Sequence, residues 1–344
     1  MSQEGSIGFS HEGDEYRAPL APVLICALLS ALMMHFGFLS FLFLAPLGYA
    51  AAAYNPATAW TAFIAAAVLN GIFSFALRIF YDAGFSGYWI DILYYTSLAL
   101  CFTWIMAGSK LSGFRTAYRF IIAAVIGTFI FTLILLGGLD SSGMAVVLKS
   151  QADFLSSVII SSAGADAVRR SFLEQTLTPE KMLEILGGII LRGGAVVSIF
   201  FMFFINRRIS FSLVSIIRKR RMPLDLPDFH APFNAIWFLS FSIGVLLISK
   251  ILKMAIPEVI AWNVLIVCAI IFLAQGAGIV LFFLARLNVP PLMRLFLNIM
   301  IFVIIFSPGL NTIALAAVIV LGIAENWLPL RAAKKNGSAP TPGL

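Results

Sequence analysis

The residues that could do chemistry in this chain are charged and polar side chains at the ends of long apolar stretches. Carboxylates, cations, an imidazole and an amide offer both charge signs and many hydrogen bonds, which suits binding of a polar or charged solute. Under the topology derived below, these residues share the outer side of a membrane: His35, Arg78, Asp82, Asp91, Arg192, Lys250, Glu258 and Asn311. We predict that they form a substrate-binding pocket open to the outside. The alternative is that each one ends a helix and reaches toward the lipid headgroups.

Sequence motifs for catalysis, nucleotide binding and metal binding are absent. There is no P-loop, no HExxH and no GxSxG, which excludes the ATPases and hydrolases that use them. The three histidines are not at ligand spacing from one another, and each of the three cysteines lies within an apolar run. We therefore expect a protein that is not an enzyme and has no catalytic residue, metal site or cofactor.

The elements that would position these residues follow from an extreme composition. Of the 344 residues, 61% are hydrophobic and 11% are charged, whereas soluble domains carry about 25% charged residues. A water-soluble fold of this size cannot hide so much apolar surface, so the bilayer must be the solvent. Strand alternation is absent, which excludes an outer-membrane barrel. We predict an all-α polytopic transmembrane helical bundle.

Ten apolar stretches qualify as membrane-spanning helices by length and composition. They are 20–36, 38–54, 58–80, 89–107, 117–138, 187–206, 234–255, 258–284, 292–306 and 309–328. Two pairs of them lie in apolar runs of about 35 residues, broken at His35-Phe36-Gly37 and at Ser307-Pro308-Gly309. A single helix of that length would measure roughly 50 Å, too long for one crossing. We therefore predict two short helical hairpins.

The basic residues set the predicted orientation. Fifteen of the 23 lysines and arginines fall in five segments that should share one side: Arg17; Lys110, Arg115 and Arg119; Arg207, Arg208, Arg218, Lys219, Arg220 and Arg221; Arg286 and Arg294; and Arg331, Lys334 and Lys335. A ten-span layout places all five in the cytoplasm with both termini. We predict a multi-pass protein of the bacterial inner (cytoplasmic) membrane.

The net charge of +7 raises the question of anionic partners. We predict no nucleic-acid binding, because the basic residues lie beside apolar spans and not on an aromatic-interleaved surface. Arg218, Lys219, Arg220 and Arg221 in the predicted cytoplasmic loop 207–232 would contact anionic membrane lipids, at about 1 kcal/mol per charge. Topology anchoring alone would also account for this cluster.

The chain divides into five predicted parts. They are a cytoplasmic polar N-terminus (1–19), an N-terminal membrane bundle (20–138), an external segment (139–186), a C-terminal membrane bundle (187–331) containing the basic loop, and a disordered tail (332–344). In the external segment, Thr178-Pro179 predicts a helix start. Its apolar spacing predicts an amphipathic helix on the outer leaflet, or a lid over the bundle.

Short elements of the second bundle carry a family resemblance. They are Leu226-Pro227, Trp237, Gln275-Gly276 and the closing run from Leu321 through Glu325-Asn326 to Arg331. Together they resemble the YybS-like family of bacterial membrane proteins, a family of unknown function. The closing run looks like the terminal acid-to-arginine element of that family, with a Glu-Asn pair where an Asp is expected.

The first bundle carries a second, more distant resemblance. Its features are the stretch Ala27-Leu-Leu-Ser-Ala31 in the first span, Pro46 in the second and Asn55-Pro56 before the third. They are similar to the substrate-binding (S) subunits of energy-coupling-factor vitamin transporters, to which the YybS-like family is distantly similar. In S subunits a small-xxx-small face of the first helix meets the scaffold subunit. The resemblance therefore implies partner docking by Ala27 and Ala31, although S subunits usually have six spans.

These observations predict an integral inner-membrane protein of the solute-binding or transport-associated class, without its own ATPase. Its expected partners are membrane lipids, other membrane subunits of a transporter and a small-molecule ligand of unknown identity. The alternative is a non-transporting membrane scaffold for envelope protein partners, acting through 139–186 or 207–232. An independent secondary carrier built from two inverted five-span halves is a third hypothesis, and no residue-level match between the halves supports it.

Overall fold

The computed structural model describes residues 20–80, 88–107, 116–138, 142–161, 171, 178–219, 229–286, 310–328 and 330–331. Throughout these ranges the chain is overwhelmingly helical, and they contain no strand. The predicted all-α helical bundle is therefore confirmed. Helix is the expected outcome for so apolar a chain, because it satisfies the backbone polar groups within each segment.

The helices of the described part are as follows, in chain order. They are α1 (Leu20–His35), α2 (Ala45–Ala53), α3 (Pro56–Phe80), α4 (Tyr88–Ala107), α5 (Thr116–Gly138), α6 (Ser142–Ser161), α7 (Pro179–Ile189), α8 (Ala195–Arg218), α9 (Ala235–Leu252), α10 (Ala255–Arg286) and α11 (Leu310–Ala324). A 3-10 helix, Gly37–Leu42, lies between α1 and α2. A π-helical turn, Ile190–Gly194, joins α7 to α8.

Five helical stretches in the described ranges are long and apolar enough to cross a membrane. They are Pro56–Phe80, Tyr88–Ala107, Glu184–Arg218, Ala235–Leu252 and Ala255–Leu284. Shorter apolar helices accompany them: Leu20–His35, Gly37–Ala53, Tyr118–Ile134, Ala152–Ser161 and Asn311–Ala324. Large apolar side chains such as Phe80 and Phe241 lie on the outside, as expected where lipid surrounds the protein. This is the architecture of a multi-pass membrane protein; the predicted span 292–306 lies outside the described residues.

The chain divides into two compact units. Unit 1 consists of Met1–Val147 and Ile199–Met222, and unit 2 of Leu148–Ser198 and Pro223–Leu344. The sequence placed all of 187–331 in one C-terminal bundle, whereas most of α8 packs with the N-terminal helices. The side-chain amide of Asn206 on α8 donates a 2.8 Å hydrogen bond to the Phe41 carbonyl oxygen.

Unit 1 is built around a reversal of the chain after α1. Ser30 on α1 donates a 2.6 Å hydrogen bond to the Phe43 carbonyl oxygen, and its hydroxyl lies 2.8 Å from that of Tyr95 on α4. A contact between residues only 13 apart requires the chain to turn back between them. The turn occurs at Gly37, whose φ of +37° favours glycine. This fold-back occurs at the predicted break, His35-Phe36-Gly37.

The prediction that a loop begins at residue 207 is wrong. Residues 207–218 were expected to begin a cytoplasmic loop, but they continue α8 to Arg218. Val214 is fully buried, so the apolar periodicity persists beyond the first arginines. The Arg207 guanidinium lies 4.5 Å from the centre of the Phe211 ring, one helical turn away. Cationic side chains that lie along their own helix do not end it, and charge alone was a misleading loop signal.

The helix predicted to start at Thr178-Pro179 forms with its expected cap. Thr178 accepts a hydrogen bond at its side chain from the Lys181 backbone amide, and Pro179 occupies the first turn of α7. Upstream, α6 presents Phe154 and Val158 outward and buries Ala152. Both predictions of helix within 139–186 agree with the structure.

Unit 2 contains a close helix crossing between α10 and α11. A Cβ atom at Gly276 would overlap the Val318 carbonyl oxygen, and one at Gly322 would overlap the Phe272 carbonyl oxygen. Each helix therefore presents a glycine to the backbone of the other. Small residues at such positions let helices approach closely where no hydrophobic effect drives them together.

Candidate functional site

A groove of about 780 Å³ lies in unit 2 beside the junction of α7 and α8. Its charged lining residues are Lys181, Glu184 and Arg192, and two residues of α10, Trp262 and Ile266, form the facing wall. The rest of the lining is apolar or glycine: Ile185, Gly188, Ile189, Gly193, Gly194 and Val197, with Ser198. We call this the break groove.

The groove exists because the helix is interrupted. Gly193 has φ +111°, a conformation that side chains with a Cβ rarely adopt, and Arg192 also departs from helical geometry. A Cβ at Gly193 would in addition overlap the side chain of Ile266. The glycine is thus required both for the backbone turn and for the approach of α10.

An amide side chain satisfies the backbone opened by the interruption. Asn263 on α10 donates a 2.6 Å hydrogen bond to the Leu191 carbonyl oxygen and a 2.8 Å bond to the Val259 carbonyl oxygen. Helix breaks at membrane depth persist only where protein groups replace the lost hydrogen bonds. Asn263 therefore stabilises the break by joining it to α10 through a hydrogen bond.

An ion pair joins the break to α10. An Arg192 guanidinium nitrogen lies 3.4 Å from a Glu258 carboxylate oxygen. The Arg192 side chain is 52% exposed and the Glu258 side chain 18% exposed, so the arginine keeps donors available to a solute. Glu258 lies in the first turn of α10, where the helix dipole favours a carboxylate. Two of the predicted site residues thus meet here.

A second polar cluster lies in unit 1, along one face of α3. Asn70, Ser74 and Arg78 recur every four residues, which places them in a row that rises about 6 Å per step. We call this row the α3 stripe. The Arg78 side chain pairs with Asp91 of α4 at 2.5 Å, and the Asp91 side chain is 46% exposed.

His35 at the end of α1 faces the α3 stripe. Its ring packs edge-on to Phe73, with 6.5 Å between centroids. Asn70 lies within hydrogen-bonding reach of the imidazole, and Asp91 is close enough to act on it electrostatically. Three of the predicted site residues, His35, Arg78 and Asp91, therefore belong to one cluster in unit 1.

The remaining predicted binding residues lie apart from both clusters or outside the described ranges. Lys250 is exposed in the last turn of α9, and Asn311 lies in the first turn of α11, where its side chain accepts a hydrogen bond from Thr312. Asp82 lies outside the described residues. Of the seven described residues, His35, Arg78 and Asp91 belong to the cluster in unit 1, Arg192 and Glu258 pair beside the break groove, and Lys250 and Asn311 lie at helix ends in unit 2.

The structure encloses the small-residue face of α1. Ala27 and Ala31 are fully buried, because α1 packs against α3 within unit 1. The face implied for partner docking is therefore occupied by intramolecular packing. Of the predicted lipid-contact cluster, the Arg218 guanidinium lies 4.7 Å from the centre of the Tyr54 ring, and Lys219 follows the end of α8. Arg220 and Arg221 lie outside the described residues.

No protein-family model, curated protein or solved structure matches this chain. Its own geometry is therefore the basis for assigning a function.

A buried polar network in unit 2 connects distant parts of the chain. Arg331 donates two 2.6 Å hydrogen bonds to the Glu325 carboxylate, and the Gln275 amide donates a third at 2.9 Å. Arg331 also donates to the Phe229 carbonyl oxygen at 2.8 Å, and Gln275 accepts from the Ala231 amide at 2.9 Å. The network therefore ties α10 and the end of α11 to the segment before α9.

Glu325 lies just beyond α11, and opposing effects act on its carboxyl group. Burial favours the neutral form, but the hydrogen bonds and positive charge of Arg331 and the bond from Gln275 outweigh burial. The pKa of Glu325 is consequently held below its ordinary value. Because every acceptor is satisfied, this network is suited to holding the fold and not to binding a solute.

Several residues of the two clusters were not predicted as site residues. Asn263 interrupts the apolar run of α10, and an amide in such a run is a usable signal, whereas Trp262 belongs to the apolar run and gives none. Lys181 and Glu184 were assigned to a surface segment because their groove depends on the turn at Gly193. Ser74 gives no signal by itself, since serine is common in membrane helices.

Proposed function

We propose that this chain is a solute-binding, transport-associated membrane subunit whose ligand occupies the break groove. The observation that carries the proposal is the interruption between α7 and α8, which places Arg192 beside a groove and leaves the Leu191 carbonyl held by Asn263. Interrupted helices are the usual location of substrate sites in membrane transporters. The proposed activity requires no ATPase in this chain and leaves energy coupling to partner subunits.

The charges of the break groove favour an anionic group on the solute. Among the lining residues Lys181 and Arg192 are cations and Glu184 is a carboxylate, while Glu258 beside the groove is the present partner of Arg192. The N-terminus of α8 also begins at the groove, and helix N-termini favour anions. An incoming carboxylate or phosphate would compete with Glu258 for Arg192.

The opposite wall favours an apolar or aromatic body. Trp262 and Ile266 of α10 face Ile185, Ile189 and Val197 across the groove. A volume of about 780 Å³ lies within the range of small-molecule sites. The proposed ligand class is therefore an amphipathic anion of metabolite size, in keeping with the distant resemblance to vitamin-binding subunits.

Ligand screening with a matched pair of variants tests the proposal. Purified protein in nanodiscs would be screened by thermal shift against vitamins, their precursors and other amphipathic anions. We expect a stabilising ligand whose effect is lost in Arg192→Gln and kept in Lys250→Gln, because Lys250 is an exposed cation outside the groove. A screen without a stabilising ligand, or one whose ligands act equally on both variants, would contradict the proposal.

The proposed location is a bacterial inner membrane with both termini in the cytoplasm. The basic clusters of the sequence support it through the positive-inside rule. Fusions of a periplasm-active and a cytoplasm-active reporter to each terminus would test it. Activity of the periplasmic reporter at either end would exclude this topology.

One observation favours the scaffold alternative. Phe154 and Val158 lie outward on α6, in the segment suggested for envelope partners, and the Phe154 side chain is largely exposed. A photo-crosslinking residue at position 154 discriminates the two functions. Reproducible capture of one envelope protein, together with no ligand response, would favour the scaffold; capture of lipid alone would favour the solute-binding role.

A further inference from the structure

The α3 stripe contains buried polar atoms that the described part of the chain does not satisfy. His35 Nε2, Asn70 Oδ1 and Ser74 Oγ make no hydrogen bond of ordinary geometry with the described residues, although the Asn70 amide lies beside the imidazole. Asn70 is 1% exposed and Ser74 3% exposed, so ordinary lipid or solvent contact does not account for them. Unsatisfied polar groups at membrane depth are costly and therefore mark functional positions.

Several hydroxyls in the described helices donate to a carbonyl oxygen of their own helix, whereas the buried Thr103 hydroxyl on α4 resembles Ser74 in making no such bond. Thr61 donates to the Ala57 carbonyl oxygen at 2.7 Å, and Thr128 donates to the Ala124 carbonyl oxygen at 2.7 Å. Both use the bond to the residue four positions earlier that is common for hydroxyls in membrane helices. Ser74 does not make this bond in the structure, and its hydroxyl stays available to the cluster around His35.

The stripe connects this buried cluster to a solvent-facing carboxylate. From Asn70 the row passes Ser74 and reaches Arg78, which is paired with the half-exposed Asp91. The charged or titratable side chains near His35 and the α3 stripe include Arg78 on α3 and Asp91, Tyr88 and Tyr95 on α4. The Tyr88 hydroxyl donates to the Gly71 carbonyl oxygen at 3.2 Å. The Tyr95 hydroxyl is occupied by Ser30, so the ion pair is the partner that can respond to a charge on His35.

The composition of the cluster discriminates among ligands. The described ranges contain no group of three His, Cys, Asp or Glu residues that could hold a metal ion. Arg78 and Asp91 neutralise each other as an ion pair, so neither supplies a net charge for a metal cation or an anion, and the buried amide and hydroxyl carry no charge. A proton, in contrast, needs only the imidazole nitrogen and neighbours that can reorient.

We infer that His35 binds a proton in unit 1, exchanged with solvent along the α3 stripe from the side of Asp91. On protonation the imidazole becomes a cation close to Asp91, which then divides its attraction between His35 and Arg78. Asn70 and Ser74 supply hydrogen-bonding groups around the ring in both charge states. This site is independent of the break groove and of the solute proposed for it.

Histidine NMR gives the primary test, because the chain has three histidines. Protein carrying ¹⁵N-labelled histidine in nanodiscs would be titrated between about pH 5 and 8, and the His35→Gln variant would assign the His35 signal. We expect a reversible His35 titration. Asp91→Asn should lower its midpoint because a negative neighbour is lost, and Arg78→Gln should raise it because a positive neighbour is lost.

An exposed carboxylate that belongs to unit 2 provides the control. Asp153 is exposed on α6, and Asp153→Asn should leave the His35 midpoint unchanged. A His35 signal that does not titrate, or one that shifts in the same direction in Asp91→Asn and Arg78→Gln, would overturn the inference. These outcomes do not depend on whether a solute binds to the break groove.

Cysteine accessibility tests the path separately. In a variant with Cys26, Cys101 and Cys268 replaced by alanine, Ser74→Cys should react with a membrane-impermeant thiol reagent from the Asp91 side only. Ile72→Cys on the outward face of the same helix is the control, since lipid should exclude the reagent there. Equal reactivity at both positions, or none at Ser74→Cys from either side, would contradict a path along α3.

Discussion

The side-chain amide of Asn263 on α10 lies 2.6 Å from the Leu191 carbonyl oxygen, at the break between α7 and α8. One polar side chain of an apolar helix thus satisfies a backbone carbonyl at the position where another helix is interrupted. The break groove depends on this relationship, because a helix interruption without such a partner would leave a half-buried carbonyl unsatisfied.

Replacing Asn263 by leucine should destabilise the protein by about 0.5–1.5 kcal/mol, the net contribution of a typical hydrogen bond, because the Leu191 carbonyl it leaves is half-buried. The thermal midpoint in detergent would fall accordingly. Asn311→Leu is the matched control, because Asn311 hydrogen-bonds to its neighbour Thr312 at the start of α11 and should tolerate the change. Equal stability of Asn263→Leu and the unmodified protein would show that the bond is dispensable.

Replacing Gly193 by alanine should cost about 1–3 kcal/mol from the positive φ alone, with further loss from the clash against Ile266. The measurement is the unfolding midpoint, together with ligand-induced shift once a ligand is found. Gly187→Ala on α7 is the control, since no atom lies within 4 Å of its Cβ position. That variant should be neutral or slightly stabilised, because alanine favours helix.

Replacing Gly276 by alanine should separate α10 from α11. The added methyl group would meet the Val318 carbonyl oxygen, and overpacking of this kind costs about 1–3 kcal/mol. Gly322→Ala should have a similar effect through the Phe272 carbonyl oxygen. Gly244→Ala on α9 has open space at its Cβ position and should leave the midpoint unchanged. A tolerant Gly276 would mean that the two helices do not cross this closely.

The Glu325 carboxyl group should make the thermal stability of the protein depend on pH in the acidic range. Its pKa in the folded protein lies below its ordinary value of 4.5, so its contribution to stability is fully present above that ordinary value. The contribution is lost as the pH falls below 4.5 and through the folded pKa. We expect the thermal midpoint of the unmodified protein to drop over this acidic range.

A glutamine at position 325 identifies the group responsible. The Glu325→Gln variant should be less stable at neutral pH and should lose part of the acid dependence, because it removes the carboxylate that Arg331 binds. Glu184→Gln, an exposed position on α7, should retain the full acid dependence. An unchanged pH profile in Glu325→Gln would rule out this carboxyl group as the source.

Features of the fold that depend on local sequence were predictable. Thr178-Pro179 begins a helix because a hydroxyl cap and a fixed proline φ act within a single turn. The reversal after α1 follows from one glycine in an otherwise unbroken apolar run. The prediction for 207–218 was wrong because it relied on local charge. The arginines were taken as the end of a helix, but the apolar face of that helix continues through Val214.

Contacts between residues of different helices could not be predicted from the sequence. His35, Arg78 and Asp91 were selected as polar groups in an apolar chain, but which of the selected residues pair with one another depends on how the helices pack. The burial of Ala27 and Ala31 is a similar case, because a small-residue face serves equally well against α3 or against another subunit. Asn263 could have been identified as an amide in an apolar run, while its bond to Leu191 required the break to be known.

The hydrogen bonds that hold α2 have a consequence for biogenesis. Asn206 donates to the Phe41 carbonyl and Ser210 to the Ala45 carbonyl, each across 165 residues of chain. At roughly 5–20 residues per second, the ribosome needs on the order of 10 to 30 s to deliver these partners. The hairpin of α1 and α2 must therefore remain in the membrane without these hydrogen bonds until α8 has been synthesised. A chain stalled before that point would be a natural substrate for membrane chaperones and quality-control proteases.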